Sequence, residues 1–147
     1  MVSPAPNAVV IADDDPDDLF FARRCLQKAG VKGEILTCTD GVQIVRLLEG
    51  IARENKPLPQ VIFLDVKMPI LNGIETLRWI RTQEAFDRVP IVMLSGSNEA
   101  RDVELARSLG ALAYLVKYPH PEEIARLLAT AGATPGSTGG EPSSLPT

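Results

Sequence analysis

The sequence predicts a doubly wound α/β fold, in which a five-stranded parallel sheet is covered by helices on both faces. Short apolar runs alternate with helical segments along the chain, and this alternation indicates parallel strands joined by helical crossovers. The runs are almost continuously apolar, as expected for strands that are buried on both faces. Four of them end in acidic, hydroxyl-bearing or basic residues, which indicates a polar site at one edge of the sheet.

The first half of the chain contains two strand–helix units. Strand β1 is predicted over Ala8–Asp13 and helix α1 over Pro16–Ala29, with Asp15 as the N-cap and a proline at the first helical position. Strand β2 is predicted over Glu34–Thr39 and leads to helix α2 over Val42–Glu54, whose apolar residues recur at helical spacing.

The second half of the chain continues the same alternation. Apolar runs define the strands, and turn-forming residues separate them from the helices. Ser97 is the predicted N-cap of the fourth helix, and Gly110 ends it. The predicted elements are β3 over Val61–Asp65, α3 over Ile74–Gln83, β4 over Ile91–Leu94, α4 over Glu99–Leu109, β5 over Ala113–Val116 and α5 over Glu122–Thr130.

The length of 147 residues suits one domain with a proper core. We expect this domain over residues 8–132, after a short N-terminal extension over residues 1–7. Residues 133–147 are mostly Gly, Pro, Ser and Thr, so we expect a flexible tail there, or an arm that orders only on a partner, and no second domain.

Composition and charge exclude several classes of function. The formal net charge of −4 argues against nucleic acid as the main partner, because phosphate binding needs a basic surface. No apolar stretch approaches the roughly 18 residues of a membrane-spanning helix, and no signal peptide is recognisable. We therefore expect a cytoplasmic protein. Cys25 and Cys38 are expected to be small buried apolar residues, because their number and spacing cannot build a zinc site.

Right-handed crossovers leave few topologies, and we predict the flavodoxin-like strand order 2-1-3-4-5. That order places β1 beside β3. Asp13, Asp14 and Asp65 should then meet in the crevice at the topological switch point, where the strand order reverses between β1 and β3. An all-oxygen cluster of carboxylates suits a hard divalent cation, and Mg²⁺ fits best because it also accepts phosphate oxygens. The backbone carbonyl of Lys67 is a further candidate ligand. Beside such an ion, Asp65 can act as a nucleophile towards a phosphoryl group, with Lys117 and Ser95 contacting its oxygens.

Four motifs in this order resemble the receiver domain of two-component response regulators. They are Ala12-Asp13-Asp14, the segment from Leu64 to Pro69 with Asn72-Gly73, the pair Ser95-Gly96, and the segment from Gly110 to Lys117. The resemblance covers about Val9 to Leu128. It implies that Asp65 is the phosphoacceptor, that Asp13 and Asp14 bind the metal, and that Lys117 contacts the phosphoryl group. It also implies that Ser95 is the switch hydroxyl and that Tyr114 is the aromatic residue that changes rotamer.

One residue departs from the pattern of the family, which usually places proline directly after the lysine. Here Tyr118 stands between Lys117 and Pro119. A cis bond before a residue other than proline costs roughly 2.5–4 kcal/mol, so Lys117–Tyr118 is expected to be trans and Tyr118–Pro119 is the better cis candidate.

The resemblance implies a signalling switch rather than an enzyme, one that supports only its own phosphorylation and dephosphorylation. The expected partners are a sensor histidine kinase and a downstream protein target. The chain also resembles phytochrome-associated regulators, which suggests that the kinase is a bacteriophytochrome. A homodimer is compatible with the resemblance. Two alternatives stay open: a pseudo-receiver scaffold that works without phosphorylation, and an aspartyl-phosphate phosphatase.

The acidic residues Asp15, Asp17 and Asp18 are interpreted as favourable charges at the N-terminus of α1.

Overall fold

The computed structural model describes residues 8–97 and 99–133 as a five-stranded parallel sheet with helices on both faces. The strand order is β2-β1-β3-β4-β5, which confirms the predicted fold class and topology. The strands are β1 Val9–Ala12, β2 Ile35–Cys38, β3 Val61–Asp65, β4 Ile91–Ser95 and β5 Ala113–Val116. The helices are α1 Pro16–Lys28, α2 Gly41–Glu54, α3 Gly73–Arg81, α4 Ala100–Ser108 and α5 Pro121–Ala133, and a short 3₁₀ helix that was not predicted covers Glu84–Phe86.

The described residues begin at the predicted start of the domain and end one residue after its predicted end. The N-terminal extension lies outside the described residues, as does the predicted tail beyond Ala133. Ala133 itself was predicted as the first tail residue, but it is the last residue of α5. The division into extension, domain and tail therefore stays a prediction. In the portion of the chain that the structure describes, no helix combines the length and apolarity needed to cross a bilayer.

Alternating strand residues feed two apolar cores, one on each face of the sheet. Val10 and Ile62 lie in the core beneath α2, α3 and α4, whereas Ile11 and Phe63 lie in the core beneath α1 and α5. All four side chains are at most 2% exposed. Burial on both faces is the reason why these strands read as continuous apolar runs rather than as an alternating pattern.

Side chains cap three of the helices, and one predicted cap is wrong. The Asp15 carboxylate accepts a hydrogen bond from the Asp17 N–H at 2.8 Å, and Asn72 forms a reciprocal capping box with Glu75. Helix α4 instead begins after Glu99, with no capping hydrogen bond from that side chain. Ser97 was predicted as this cap, but its N–H donates to Ser95 Oγ at 3.1 Å, which holds it in the loop after β4.

The peptide bond between Lys117 and Tyr118 is cis, so the expectation of a trans bond is wrong. The expectation for Tyr118–Pro119 is wrong as well, because in the described residues the cis bond is the one before Tyr118. That expectation rested only on the intrinsic cost of a cis bond and not on the contacts of the folded chain. In the fold, Asp18 binds both Lys117 and Tyr118, and the Pro119 carbonyl accepts a hydrogen bond from the partly buried Cys25 thiol at 3.2 Å.

Arg81, the last residue of α3, joins the C-terminal end of this helix to two other segments. Its guanidinium group donates to the carbonyls of Phe86, Val89 and Gly110 at 3.1, 3.0 and 3.1 Å. The side chain thereby ties the end of α3 to the approach of β4 and to the loop before β5. Buried carbonyls that lie outside regular structure need such donors.

Gly73 lets the first turn of α3 lie directly against the end of β3. Its N–H donates to the Val66 carbonyl at 2.9 Å, and a Cβ built at this position would lie 2.1 Å from the carbonyl oxygen of Asp65. That carbonyl is backbone and cannot turn away. The close approach therefore fixes the loop that follows Asp65.

We expect Gly73→Ala to lower the free energy of unfolding by roughly 1–3 kcal/mol, because the added methyl group overlaps backbone atoms. Urea denaturation would measure the loss. Gly50→Ala is the matched control: Gly50 lies within α2, and a Cβ there meets only Arg53 Nη2 at 3.8 Å. The control should be stabilised by about 0.5–1 kcal/mol, because alanine favours a helix interior over glycine. Equal stability of Gly73→Ala and the wild type would contradict the close approach.

Candidate functional site

The carboxyl ends of four strands bring together the polar residues that the sequence singled out. Asp13 follows β1, Asp65 ends β3, Ser95 ends β4 and Lys117 follows β5. Asp13, Asp65 and Ser95 are only 2%, 5% and 3% exposed. Polar groups this deeply buried need partners, and each finds one at this edge of the sheet.

Three carboxylates form the acidic part of the site. Oxygens of Asp13, Asp14 and Asp65 lie within 4.8 Å of one another, with Asp14 exposed and the other two buried. The adjacency of β1 and β3 in the sheet produces this arrangement. The three carboxylates that were predicted to share a metal ion therefore lie together, and their role as metal ligands stays a prediction.

Lys117 supplies the cation that offsets these charges. Its ammonium nitrogen lies 2.7 Å from Asp13 Oδ2, 2.7 Å from Asp18 Oδ2 and 3.2 Å from Asp65 Oδ1. The ammonium group donates hydrogen bonds to Asp13 and Asp18 and forms an ion pair with Asp65. Burial alone would lower the pKa of Lys117, but the hydrogen bonds to Asp13 and Asp18 raise it above its usual value, so the group stays charged.

Asp65 is a carboxylate in an unfavourable environment. Burial, and next the charge of Asp13, raise its pKa to about 6, against the opposing effect of Lys117 and of a hydrogen bond from the backbone N–H of Lys67. Above that pH the group is ionised. Neutral pH therefore leaves an ionised, poorly solvated carboxylate at the centre of the site.

The donor set fits a hard divalent cation. All three neighbouring carboxylates offer oxygen, and together they carry more negative charge than Lys117 neutralises. Asp13 uses one oxygen for the Asp15 N–H at 3.0 Å and the other for Lys117, yet each carboxylate oxygen has a second lone pair. Lys67 follows Asp65 by two residues, and its N–H faces the Asp65 carboxylate. The role of its carbonyl as a ligand stays a prediction.

Ser95 and Tyr114 are connected through Ser97. The Ser95 hydroxyl oxygen accepts a hydrogen bond from the Ser97 N–H at 3.1 Å, and the Tyr114 hydroxyl donates to the Ser97 carbonyl at 3.3 Å. Tyr114 is half-buried and packs against the core beneath α4. The two residues predicted as switch elements therefore share one loop residue.

Asp18 is the site residue that the sequence interpretation missed. It was interpreted as a helix N-terminal charge, but its carboxylate binds both Lys117 Nζ and the Tyr118 hydroxyl. Burial opposes ionisation, yet these two donors hold the pKa of Asp18 below its usual value. No local pattern marks this role, because Lys117 and Tyr118 lie 99 and 100 residues further along the chain.

Comparison with known proteins decides the family. The family model described as the response regulator receiver domain matches residues 9–129. The chain belongs to the response regulator receiver family. Protein PilG of Pseudomonas aeruginosa is 30% identical to this receiver domain over 116 residues, which cover 79% of the chain and 80% of PilG.

Two further similarities concern regulators of comparable length. The response regulator Rcp1 of Synechocystis is 25% identical over 124 residues, which cover 84% of each chain. The solved structure of the bacteriophytochrome response regulator AtBRR superimposes on this receiver domain with a TM-score of 0.75 and 25% identity, covering 88% of this chain and 94% of that one. Two-component signalling is therefore the setting of this receiver domain.

We expect Asp65→Asn to stabilise the metal-free protein at pH 7.5. Folding raises the pKa of Asp65 from 3.8 to about 6, so the folded state binds the proton more tightly and stability falls as the pH rises through that interval. The shift corresponds to at most about 3 kcal/mol, and we expect a gain of roughly 1–2 kcal/mol.

Urea denaturation in the presence of a chelator, at pH 7.5 and pH 4.5, measures this effect. The advantage of Asp65→Asn should shrink to less than half at the lower pH, where folded Asp65 is protonated. Asp17→Asn removes an exposed charge from the same region and should change stability by no more than about 0.5 kcal/mol. A gain that is as large at pH 4.5 as at pH 7.5 would contradict the raised pKa.

Proposed function

We propose that this receiver domain is a phosphoryl-accepting switch in which Asp65 takes a phosphoryl group from a phosphohistidine of a partner kinase. The observation that carries the proposal is the environment of Asp65. Its carboxylate is buried, lies among Asp13 and Asp14, and has the Lys117 ammonium 3.2 Å from one oxygen. Membership of the receiver family supports the same role.

The transfer is a displacement at phosphorus. A carboxylate oxygen of Asp65 forms a bond to phosphorus while the bond between phosphorus and the imidazole nitrogen breaks. The electron pair of that bond stays on the imidazole, which leaves neutral when its other nitrogen carries a proton. Lys117 would then offset the charge of one phosphoryl oxygen, and the Ser95 hydroxyl would donate to another.

Mg²⁺ is the proposed cofactor. Asp13, Asp14 and Asp65 would hold it with the Lys67 carbonyl, and the bound ion would neutralise phosphoryl oxygens during transfer. The choice of this ion rests on the all-oxygen donor set and on the preference of Mg²⁺ for a few carboxylates plus phosphate.

The proposed output runs through Ser97. A Ser95 hydroxyl that turns towards a phosphoryl group gives up its hydrogen bond from the Ser97 N–H. The Ser97 backbone, which accepts a hydrogen bond from the Tyr114 hydroxyl, could then move, and its movement would change the protein-binding face formed by α4, β5 and α5. A downstream protein target would read this change. The homodimer and the cytoplasmic location stay predictions.

We expect incubation with acetyl phosphate and Mg²⁺ to add one phosphoryl group to the wild type and none to Asp65→Asn. Intact-mass spectrometry would measure the adduct, and a chelator should abolish it. Asp87→Asn, which changes an exposed aspartate elsewhere on the chain, is the control and should keep the adduct.

Other results of this experiment favour the two alternatives. The absence of an adduct on the wild type would favour the scaffold that works without phosphorylation. Repeated release of phosphate from a small phosphate ester would favour a phosphatase. A full adduct on Asp65→Asn would refute the assignment of the acceptor.

An exposed aromatic patch beside the site is the proposed contact for the kinase, for which we favour a bacteriophytochrome. Phe20, Phe21 and Tyr118 are 55%, 52% and 59% exposed, and their rings pack edge to face with centroid distances of 5.6 and 5.7 Å. Exposed clusters of this kind mark protein interaction sites. The patch adjoins the site because Tyr118 follows Lys117 in the chain.

We expect the double change Phe20→Ala with Phe21→Ala to slow phosphoryl transfer from a bacteriophytochrome kinase by about tenfold or more, since buried aromatic anchors dominate interface energies. Phosphorylation by acetyl phosphate, which needs no docking, should keep its rate. Leu58→Ala removes a 40% exposed apolar side chain at the other edge of the sheet and should leave both rates unchanged. Equal slowing with both donors would indicate damage to the site rather than loss of docking.

A further inference from the structure

We propose that Asp18 is a positioning residue for Lys117: together with Asp13 it holds the ammonium group so that the third N–H faces Asp65. This inference rests on the proposed function, because the purpose of that orientation is to present a cation to the phosphoryl group. The contacts of Lys117 carry the inference.

The distances divide the contacts of Lys117 into two kinds. Asp13 and Asp18 accept hydrogen bonds from the ammonium group at 2.7 Å each, whereas Asp65 forms an ion pair with it at 3.2 Å. Two short ion pairs thus anchor the ammonium group, and the longest contact is the one that a phosphoryl oxygen on Asp65 would replace. Lys117 can make that exchange without leaving its two anchors.

Asp18 is itself held in place. It lies in the first turn of α1, its side chain is 15% exposed, and its second carboxylate oxygen accepts from the Tyr118 hydroxyl. One carboxylate therefore binds two consecutive residues of the loop after β5. Helix α1 and that loop are joined at the lysine that the chemistry uses.

A metal-binding role for Asp18 does not account for these contacts. The described carboxylates that lie close enough together to share an ion are Asp13, Asp14 and Asp65, and Asp18 is not among them. Both of its oxygens already face donors from Lys117 and Tyr118. Its removal should disturb the position of the lysine far more than the binding of the metal.

The experiment compares wild type, Asp18→Ala, Asp18→Asn, Asp17→Ala and Asp65→Asn in the full chain. Acetyl phosphate is the donor, and intact-mass spectrometry gives the rate over a series of donor concentrations. Calorimetry gives the Mg²⁺ affinity. A second readout needs no phosphorylation: the ¹⁵N ammonium resonance of Lys117 in the metal-free protein, assigned by its absence from Lys117→Ala.

We expect Asp18→Ala to lower the limiting rate of phosphorylation about tenfold, because a misplaced catalytic group costs orders of magnitude in rate. Its Lys117 resonance should broaden or vanish. Asp18→Asn keeps an oxygen that accepts from Lys117 and an amide that donates to the Tyr118 oxygen, so it should recover most of the rate and the resonance. Mg²⁺ affinity should stay within about threefold of the wild type in both variants. Asp17→Ala, which loses an exposed charge on the same turn, should match the wild type.

A wild-type rate and an unchanged resonance in Asp18→Ala would overturn the proposal. So would an asparagine variant as impaired as the alanine variant with a matching loss of Mg²⁺ affinity, since that result assigns Asp18 to the metal site. If the wild type takes up no phosphoryl group, the proposed function fails, and the resonance still decides whether Asp18 holds Lys117. If Asp18→Ala does not fold, Asp18→Asn and Tyr118→Phe provide the comparison.

Discussion

One ammonium group surrounded by three carboxylates holds the functional edge of this protein together. Lys117 reaches Asp13 after β1, Asp18 in α1 and Asp65 at the end of β3. Loss of Lys117 would leave the buried Asp13 and Asp65 carboxylates uncompensated, which is strongly destabilising. The positions of β1, β3, α1 and the loop after β5 are therefore coupled through a single side chain.

The same cluster leaves an imbalance that a ligand can relieve. The Asp65 carboxylate is buried beside Asp13, and its pKa is raised to about 6 even though Lys117 lies close. A cluster that was fully neutralised at rest would gain little from binding a cation. Residual repulsion among Asp13, Asp14 and Asp65 favours a cation that binds between them.

The sequence predicted the parts of the fold that depend on burial and chain direction. Parallel strands buried on both faces leave an unmistakable apolar pattern, and crossover handedness then restricts their order, so the meeting of Asp13 with Asp65 followed. Features that depend on contacts between distant segments were missed. The role of Asp18 was missed because its partners, Lys117 and Tyr118, lie 99 and 100 residues further along the chain. Arg81 was missed for the same reason, since it binds carbonyls of Phe86 and Val89 before β4 and of Gly110 before β5.

At Ser97, tertiary contacts override the local preference of serine for a helix N-cap. Serine before a helix favours a cap, yet Ser97 lies between Ser95 and Tyr114 and binds both through its backbone. This placement joins the chemistry at the end of β4 to the aromatic residue on β5. A loop residue that bonds to both sides is well placed to transmit a change in the rotamer of Ser95.

The most direct measurement is a crystal structure of the chain grown with Mg²⁺ and beryllium fluoride, which mimics a phosphoryl group on aspartate. We expect the fluoroberyllate on Asp65, with Lys117 Nζ bound to one fluorine while it keeps Asp13 and Asp18 as anchors. The Ser95 hydroxyl should bind a second fluorine and release the Ser97 N–H. An unmodified Asp65, or a Lys117 that stays on the Asp65 carboxylate while the mimic binds elsewhere, would contradict the switch at this site.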